Sequence, residues 1–287
     1  MIKSLFGIAP KREEDGSYSP SKLALKLATA GYSDYAPVAY KAYTGNRSKV
    51  LVVFTEQKNM MMKNGKAFST GNHPVEALLP LLHLRQAGFK FEIATPNGKP
   101  VVLEMWAMPN KDDTVLSIYQ ELKPQLESPK SLTDIASTLQ GQSDSYAAVF
   151  VPGGHGAMLG IPEDSNMATI LRWAHTHQVT TISICHGPGA LLATTLHGGD
   201  FIYAGYKMAV FPDAVDKQTP MVGYLPGPMP WQLGAKLESL GAKIINKKAD
   251  DSCCIDRELI TGASPAAANK LGKLAAKTLL ARLSPEA

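Results

Sequence analysis

The run Thr181-Ile-Ser-Ile-Cys185-His-Gly-Pro-Gly-Ala190 carries an apolar strand straight into a turn of glycine and proline, with Cys185 between the two. A strand that feeds a helix through so little chain must turn sharply, and the corner residue is held in an exposed, strained position, as at the nucleophile elbow of hydrolases. Corners of this kind belong to sheets in which strands and helices alternate, and the alternation is visible elsewhere in the chain. Residues 49–55 (KVLVVFT) are a short, continuously apolar run that suits a strand buried on both faces. Residues 74–87 read as a helix with Pro74 in its first turn, where a missing N–H costs little, and with Pro80 inside it as a kink site. Gly88 ends that helix and a strand follows over 89–95, which completes a parallel βαβ unit.

The rhythm resumes with a strand over 146–151, a helix over 166–177, a strand over 180–185 and a helix over 188–195. Further strands are expected near 207–210, 243–245 and 258–261, and helices near 231–240 and 265–281. The fold class is therefore α/β, a doubly wound parallel sheet. Two stretches break the pattern. Residues 1–48 are rich in Ser, Tyr, Pro and Gly without a clear period and read as an N-terminal arm. Residues 98–142 hold WAMPNKDD and two short amphipathic stretches, near 115–122 and 132–139, and read as an inserted helical cap. The core is then 49–97 together with 143–287.

Composition excludes several function classes. With 45% hydrophobic and 19% charged residues the chain is an ordinary globular one, long enough at 287 residues to bury a large core. The formal charge of +4 is dispersed, with no basic run longer than Lys11-Arg12 or Lys247-Lys248, so neither nucleic acid nor a membrane surface is implied as a partner. The amino-terminal apolar stretch is too short for a signal peptide and lacks a small-residue cleavage site, and no apolar run approaches a membrane span. Only three cysteines occur, two of them adjacent (Cys253 and Cys254), which argues against a disulfide framework and for a reducing cytoplasm.

In open α/β sheets ligands sit beyond the carboxyl ends of the strands. Three informative segments fall there: Pro152-Gly-Gly-His-Gly156, Cys185-His-Gly-Pro188 and Pro212-Asp213. Cys185 at the start of a helix is expected to have a lowered pKa and to act as a thiolate nucleophile. His186 offers a side-chain base, and its backbone N–H suits an oxyanion hole. Such a base needs an orienting carboxylate, and Asp213, in Phe211-Pro-Asp-Ala214, is favoured over the plain reading of Pro-Asp as a turn. Gly153 and Gly154 let backbone approach a reacting carbonyl and are candidates for the second oxyanion donor; the loop lacks the spacing of a phosphate cradle. Glu76 stands three residues after His73 in the first turn of a helix, where a capping acid and a catalytic acid look alike. The histidines show no metal-ligand spacing, and Cys253 and Cys254 read as one packed and one surface thiol.

Taken together, the Cys185-His186-Gly187 elbow, the Pro152-Gly-Gly-His-Gly156 loop and Glu76 resemble the ThiJ/PfpI superfamily, whose members share a flavodoxin-like sandwich with a reactive elbow cysteine and a nearby protonated glutamate. Phe68-Ser-Thr-Gly-Asn-His-Pro-Val-Glu76, Trp106-Ala-Met-Pro109, Phe211-Pro-Asp213-Ala and Asp216-Lys-Gln-Thr-Pro220 narrow the likeness to the HchA-type branch, over roughly residues 48–282. The resemblance implies Cys185 as nucleophile, Glu76 as its acid/base partner, His186 and Asp213 as the rest of a triad, and a homodimer. It also implies glutathione-independent glyoxalase and deglycase activity, with a holding chaperone role toward unfolded proteins. Many members of the branch bind a metal at three positions that here are Arg85, Lys90 and Asn110; two of these repel a cation, so no metal and no cofactor is expected.

The leading expectation is conversion of methylglyoxal to lactate through a Cys185 hemithioacetal, with a small dicarbonyl or a glycated protein as substrate. A cysteine hydrolase using Cys-His-Asp and a holding chaperone without significant catalysis are the rivals. A glutamine amidotransferase requires a later His-x-Glu, and no histidine follows His197, so that class is excluded.

Overall fold

The computed structural model of the chain describes residues 7–139 and 146–283; the first six residues, read above for a leader, and the end of the expected cap lie outside them. Its main sheet has seven strands: β1 (Lys49–Val53), β2 (Lys90–Thr95), β3 (Lys130–Ser131), β4 (Ala148–Val151), β5 (Thr180–Ile184), β6 (Cys253–Asp256) and β7 (Leu259–Gly262). They lie in the order β6-β7-β5-β4-β1-β2-β3, parallel throughout except that β6 runs antiparallel to β7. The chain winds outward from β1 to β2 on one side and then to β4 on the other, so the switch point lies between β1 and β4.

The helices are α1 (Lys22–Ala28), α2 (Pro74–Gln86), α3 (Asp113–Glu127), α4 (Leu132–Thr138), α5 (Ser165–Thr176), α6 (Asp213–Gln218), α7 (Leu233–Ser239) and α8 (Ala268–Leu283). Continuous apolar runs become central strands because each face of the sheet is covered. Val50 and Val52 pack with Leu78 and Leu82 of α2 and Leu271 of α8, whereas Leu51 and Val53 pack with Ile135 of α4 and Met167 and Ile170 of α5. Helix α2 is buried from Glu76 through Leu84, which explains why it has no polar stripe.

Helix α8 crosses α2 at Gly272, where a β-carbon would stand 2.8 Å from Pro80 Cα and 2.7 Å from the His83 ring. Gly272→Ala should therefore destabilise the fold by about 1–3 kcal/mol, the usual effect of overpacking a tight contact. Denaturant unfolding measures it, and an unchanged midpoint would show that the two helices part freely.

Several expectations need correction. The described part of the expected cap, residues 98–139, is not set above the core. Helix α3 buries Val115, Ile118 and Leu122 in the same cluster as α2, α4 joins the opposite layer, and β3 extends the sheet. The arm is only partly irregular: Lys11–Arg12 and Tyr18–Ser19 join Ala67–Ser69 and Asn59–Met61 in a small four-stranded sheet, and Ser21 caps α1 by accepting from the Ala24 N–H at 3.1 Å. The strands expected near 207–210 and 243–245 pair only with each other, as Lys207–Met208 and Lys243–Ile244. Their departure from the main sheet has a local cause, because the Ala209 N–H donates to Thr261 Oγ1 and the Val210 N–H to Asn246 Oδ1, which takes these amides out of any ladder. The segment after Cys185 forms 3₁₀ turns over Gly187–Gly198, broken at Leu196 and His197, in place of a regular α-helix. Among the described residues no helix is long and apolar enough to cross a membrane.

Candidate active site

Cys185 follows β5 and sits at φ 59°, a left-handed conformation that a non-glycine residue holds only when its surroundings over-determine it. Here they do. Its N–H donates to the Gly262 carbonyl at 2.8 Å, and its own carbonyl accepts from the Phe211 N–H at 2.9 Å. The side chain is turned into a cavity of about 410 Å3 and is 4% exposed. Gly153, after β4, lies so close that a β-carbon there would strike the Glu76 carboxyl and stand 2.7 Å from Cys185 Cβ, so only glycine fits.

Two proton carriers flank the sulfur. His186 Nδ1 lies 3.2 Å from Sγ, and His186 Nε2 donates to Asp216 Oδ2 at 2.8 Å. Because Nε2 carries the proton, Nδ1 of the neutral ring faces the thiol as an acceptor. On the other side stands Glu76 of α2, fully buried beside the Cys185 sulfur and the Gly154 N–H, with neither carboxyl oxygen held by a full hydrogen bond. Burial, with the charge of Glu104 adding to it, raises the Glu76 pKa to about 8. The expected lowering of the Cys185 pKa is corrected: burial, then the neighbouring Glu76, push the thiol up, and the short 3₁₀ turns after it do not outweigh them. Both shifts favour the neutral forms of the pair, and His186 Nδ1 is an acceptor within reach of the thiol.

Asp213 is not the orienting carboxylate. Its oxygens accept from the Gly234 and Ala235 N–H groups at 2.9 Å and so tie down the start of α7. Asp216, three residues further along α6, meets His186 instead and serves two histidines, with Oδ1 3.0 Å from His155 Nε2 and Oδ2 bound to His186. The rings of His155 and His186 are tilted by 34° with centroids 4.0 Å apart, and the Phe211 ring stacks on His186 at 4.8 Å. Burial works against charge on His155, but Asp216 and then Glu104 outweigh it and raise its pKa. Burial, followed by the charge of His155, lowers that of His186. Burial would likewise raise the Asp216 pKa, yet the two histidines hold it well below the usual carboxylate range. The two shifts favour the proton on His155 over His186, and favour the neutral His186 ring that can accept one.

His155, His186 and Asp216 bring ligand-type atoms within 4.8 Å of one another, yet both carboxylate oxygens already have imidazole partners, and ordinary hydrogen bonds account for the cluster. Of the positions expected to lack metal ligands, Arg85 is ion-paired with Glu121 of α3 and Lys90 is exposed. The Gly154 N–H faces the sulfur, and neither the Gly153 nor the His186 N–H has an acceptor among the described residues.

A profile of the DJ-1/PfpI family matches residues 67–207, which take in Glu76, the Gly153–Gly154 turn and the Cys185–His186 elbow. The chain is 47% identical over 269 residues to the protein/nucleic acid deglycase HchA of Escherichia coli (strain K12 / DH10B), covering 93% of this chain and 94% of that one. The chain belongs to the DJ-1/PfpI family. In fold, this family member resembles the Rapid Encystment Protein of Francisella tularensis, with a TM-score of 0.67, 21% identity and coverage of 81% of this chain and 99% of that one. It resembles glyoxalase III of Candida albicans similarly, with a TM-score of 0.62, 21% identity and coverage of 83% and 98%.

Four site residues of this DJ-1/PfpI chain escaped sequence reasoning: Asp216, His155, His73 and Glu104. His155 was visible in the glycine-rich loop, and Asp216 in the segment that follows Phe211-Pro-Asp213. Glu104 had one signal, a lone acid in the otherwise apolar run Val101–Ala107. Asp216→Asn should lower turnover by about 10²-fold or more by disturbing the His186 tautomer. Asp213→Asn should cost about 1 kcal/mol of stability with turnover changed less than about threefold. Steady-state rates and thermal melts of the two variants check this, and the opposite ranking would return the orienting role to Asp213.

Proposed function

We propose that this chain is a cysteine-dependent enzyme that removes methylglyoxal adducts from amines and converts free methylglyoxal to lactate without glutathione. The observation that carries the reading is the pairing of one thiol with two separate proton carriers, His186 Nδ1 at 3.2 Å and the buried Glu76 carboxyl. Simple acyl transfer needs one such carrier; an isomerisation needs a second, because a proton must also cross between two carbons of the bound substrate.

In the proposed sequence His186 takes the thiol proton and Cys185 adds to the aldehyde carbon. The oxyanion of the hemithioacetal accepts from the N–H groups of Gly154 and His186, with Gly153 shaping the turn. Glu76, once deprotonated, removes the proton from the thiol-bearing carbon and delivers it to the neighbouring one through an enediol, leaving a thioester of lactate. Water then cleaves the thioester and restores the thiol. An amine-bound adduct enters at the hemithioacetal after the amine has left. The relative named as a protein/nucleic acid deglycase, 47% identical over 93% of this chain, supports the amine-bound substrates.

Lactate formation from methylglyoxal in glutathione-free buffer tests the reading directly; steady production supports it, and none would overturn it. A peptidase reading draws on the Cys185–His186–Asp216 line, but Leu27 and Ala28 of α1 stand among the residues that line the cavity, which favours a small or end-on substrate over a through-running chain. The reading further takes the protein to be a cytoplasmic homodimer that also holds unfolded chains. Three unpaired cysteines and the exposed apolar side chains Leu27, Met61 and Met221 support these parts. Light scattering tests the dimer. Suppression of aggregation that survives Cys185→Ser tests the holding activity.

A further inference from the structure

The cavity around Cys185 holds one acid more than an aldehyde isomerisation uses. Glu104 is 1% exposed and lines the same cavity as Cys185 and Glu76. Its position is set by backbone: the Glu104 N–H donates to the Asn72 carbonyl at 2.9 Å, and the Asn72 side chain in turn donates to the Gly153 carbonyl at 3.2 Å, so Glu104 is tied to the loop that faces the sulfur. The Thr70 hydroxyl donates to Oε1 at 2.6 Å, while Oε2 is buried without a partner. A carboxyl that accepts through Oε1 carries its proton on Oε2, the oxygen left open. His73 Nδ1, in the same cavity, is also buried without a partner. Buried polar atoms are almost always satisfied, so unpartnered ones around a single cavity point to a ligand that brings donors and acceptors of its own.

We propose that Glu104 is the acid that protonates the departing amine of a glycated substrate, so that this second carboxyl suits the cavity to aminocarbinols of lysine-like amines as well as to free dicarbonyls. The proposal rests on the reading of Cys185 as nucleophile and deepens it. In the step, the Cys185 sulfur bonds to the carbinol carbon as the carbon–nitrogen bond breaks. The electron pair of that bond leaves with nitrogen, which takes the proton of Glu104 Oε2 and departs as the neutral amine. The thiol proton has passed to His186 Nδ1, and its return through water to Glu104 restores both groups. The product on sulfur is the same hemithioacetal that methylglyoxal forms, so the later steps are shared and only the first one needs Glu104. Burial raises the Glu104 pKa to about 7, against the lowering effects of His155 and of the Thr70 and Gly71 donors, which leaves a proton available near neutrality.

The test compares two rates on the full-length protein and on Glu104→Gln. One is steady-state lactate formation from methylglyoxal. The other is single-turnover release of Nα-acetyllysine from its preformed methylglyoxal aminocarbinol, with enzyme in excess and spontaneous decay subtracted. Amine release should fall at least tenfold more than lactate formation. Should Glu104→Gln fail to fold, Thr70→Val, which no longer pins the proton to Oε2, should show the same selective loss at about threefold. An active parent whose two rates fall by the same factor, or do not change, would overturn the role of Glu104. A parent that releases amine no faster than spontaneous decay would overturn the deglycase reading itself, and this proposal with it.

Discussion

Cys185→Ala should lower both lactate formation and amine release by at least about 10³-fold while the protein stays folded, the scale seen when a nucleophile that works as part of a unit is removed. The size follows from the geometry. His186 Nδ1 and Glu76 both converge on this one sulfur, so removing it leaves two proton carriers with no covalent intermediate to act on. Stability should change little or improve, because the elbow holds a non-glycine residue at φ 59° whichever small side chain it bears, and alanine strands no donor. Cys253 and Cys254 lie on β6, away from the cavity residues, and their replacement should leave both rates unaltered. Residual turnover above a tenth of the parent rate in Cys185→Ala would move the chemistry to another group.

Glu76→Gln has the second largest expected effect, about 10²-fold or more on turnover, the usual range for a lost general acid–base. Glutamine still offers a hydrogen bond to the sulfur but cannot carry the proton between the substrate carbons. Two further readouts separate this from a helix-capping role. The charge of an ionised Glu76 is one of the forces that push the Cys185 thiol up, so its removal should move the thiol titration, followed by alkylation rate against pH, to lower pH. Stability should also lose part of its pH dependence. The folded Glu76 has a pKa of about 8 against an ordinary value of 4.5, so its neutral form contributes stability fully present below about 4.5 and lost as pH rises through about 8. The glutamine variant should show a flatter decline across that window. Near-normal turnover with an unshifted thiol would return Glu76 to the cap.

What could be read from the sequence was local. The elbow needs only an apolar strand and a glycine-containing turn, both contiguous, and these single out Cys185 and His186; Glu76 looks like a helix cap by its neighbours alone and was singled out by the family resemblance. Asp216 was not, because Asp213 and Asp216 both belong to the first turn of α6, and which of them meets His186 depends on how that helix docks, which neighbouring residues do not encode. His155 and Glu104 gain their meaning from partners far away in the chain, at Asp216 and Thr70. The same limit explains the segment 98–142. The apolar stripe of α3, at Val115, Ile118, Leu122 and Leu126, states that the helix needs a partner surface without saying which, so a cap and a core layer produce one pattern. The expected fall in the Cys185 pKa came from a helix terminus that the 3₁₀ turns only partly supply, and burial prevailed.

The central claim is that Cys185 forms a covalent bond to a dicarbonyl carbon during turnover. Protein quenched in acid during steady conversion of methylglyoxal, then digested and mass-analysed, tests it most directly. The account predicts a peptide containing Cys185 that is heavier by one methylglyoxal, absent when Cys185 is serine and accumulating in Glu76→Gln, where addition proceeds and proton transfer stalls. Lactate accumulating while the Cys185 peptide stays unmodified at every quench time would contradict it.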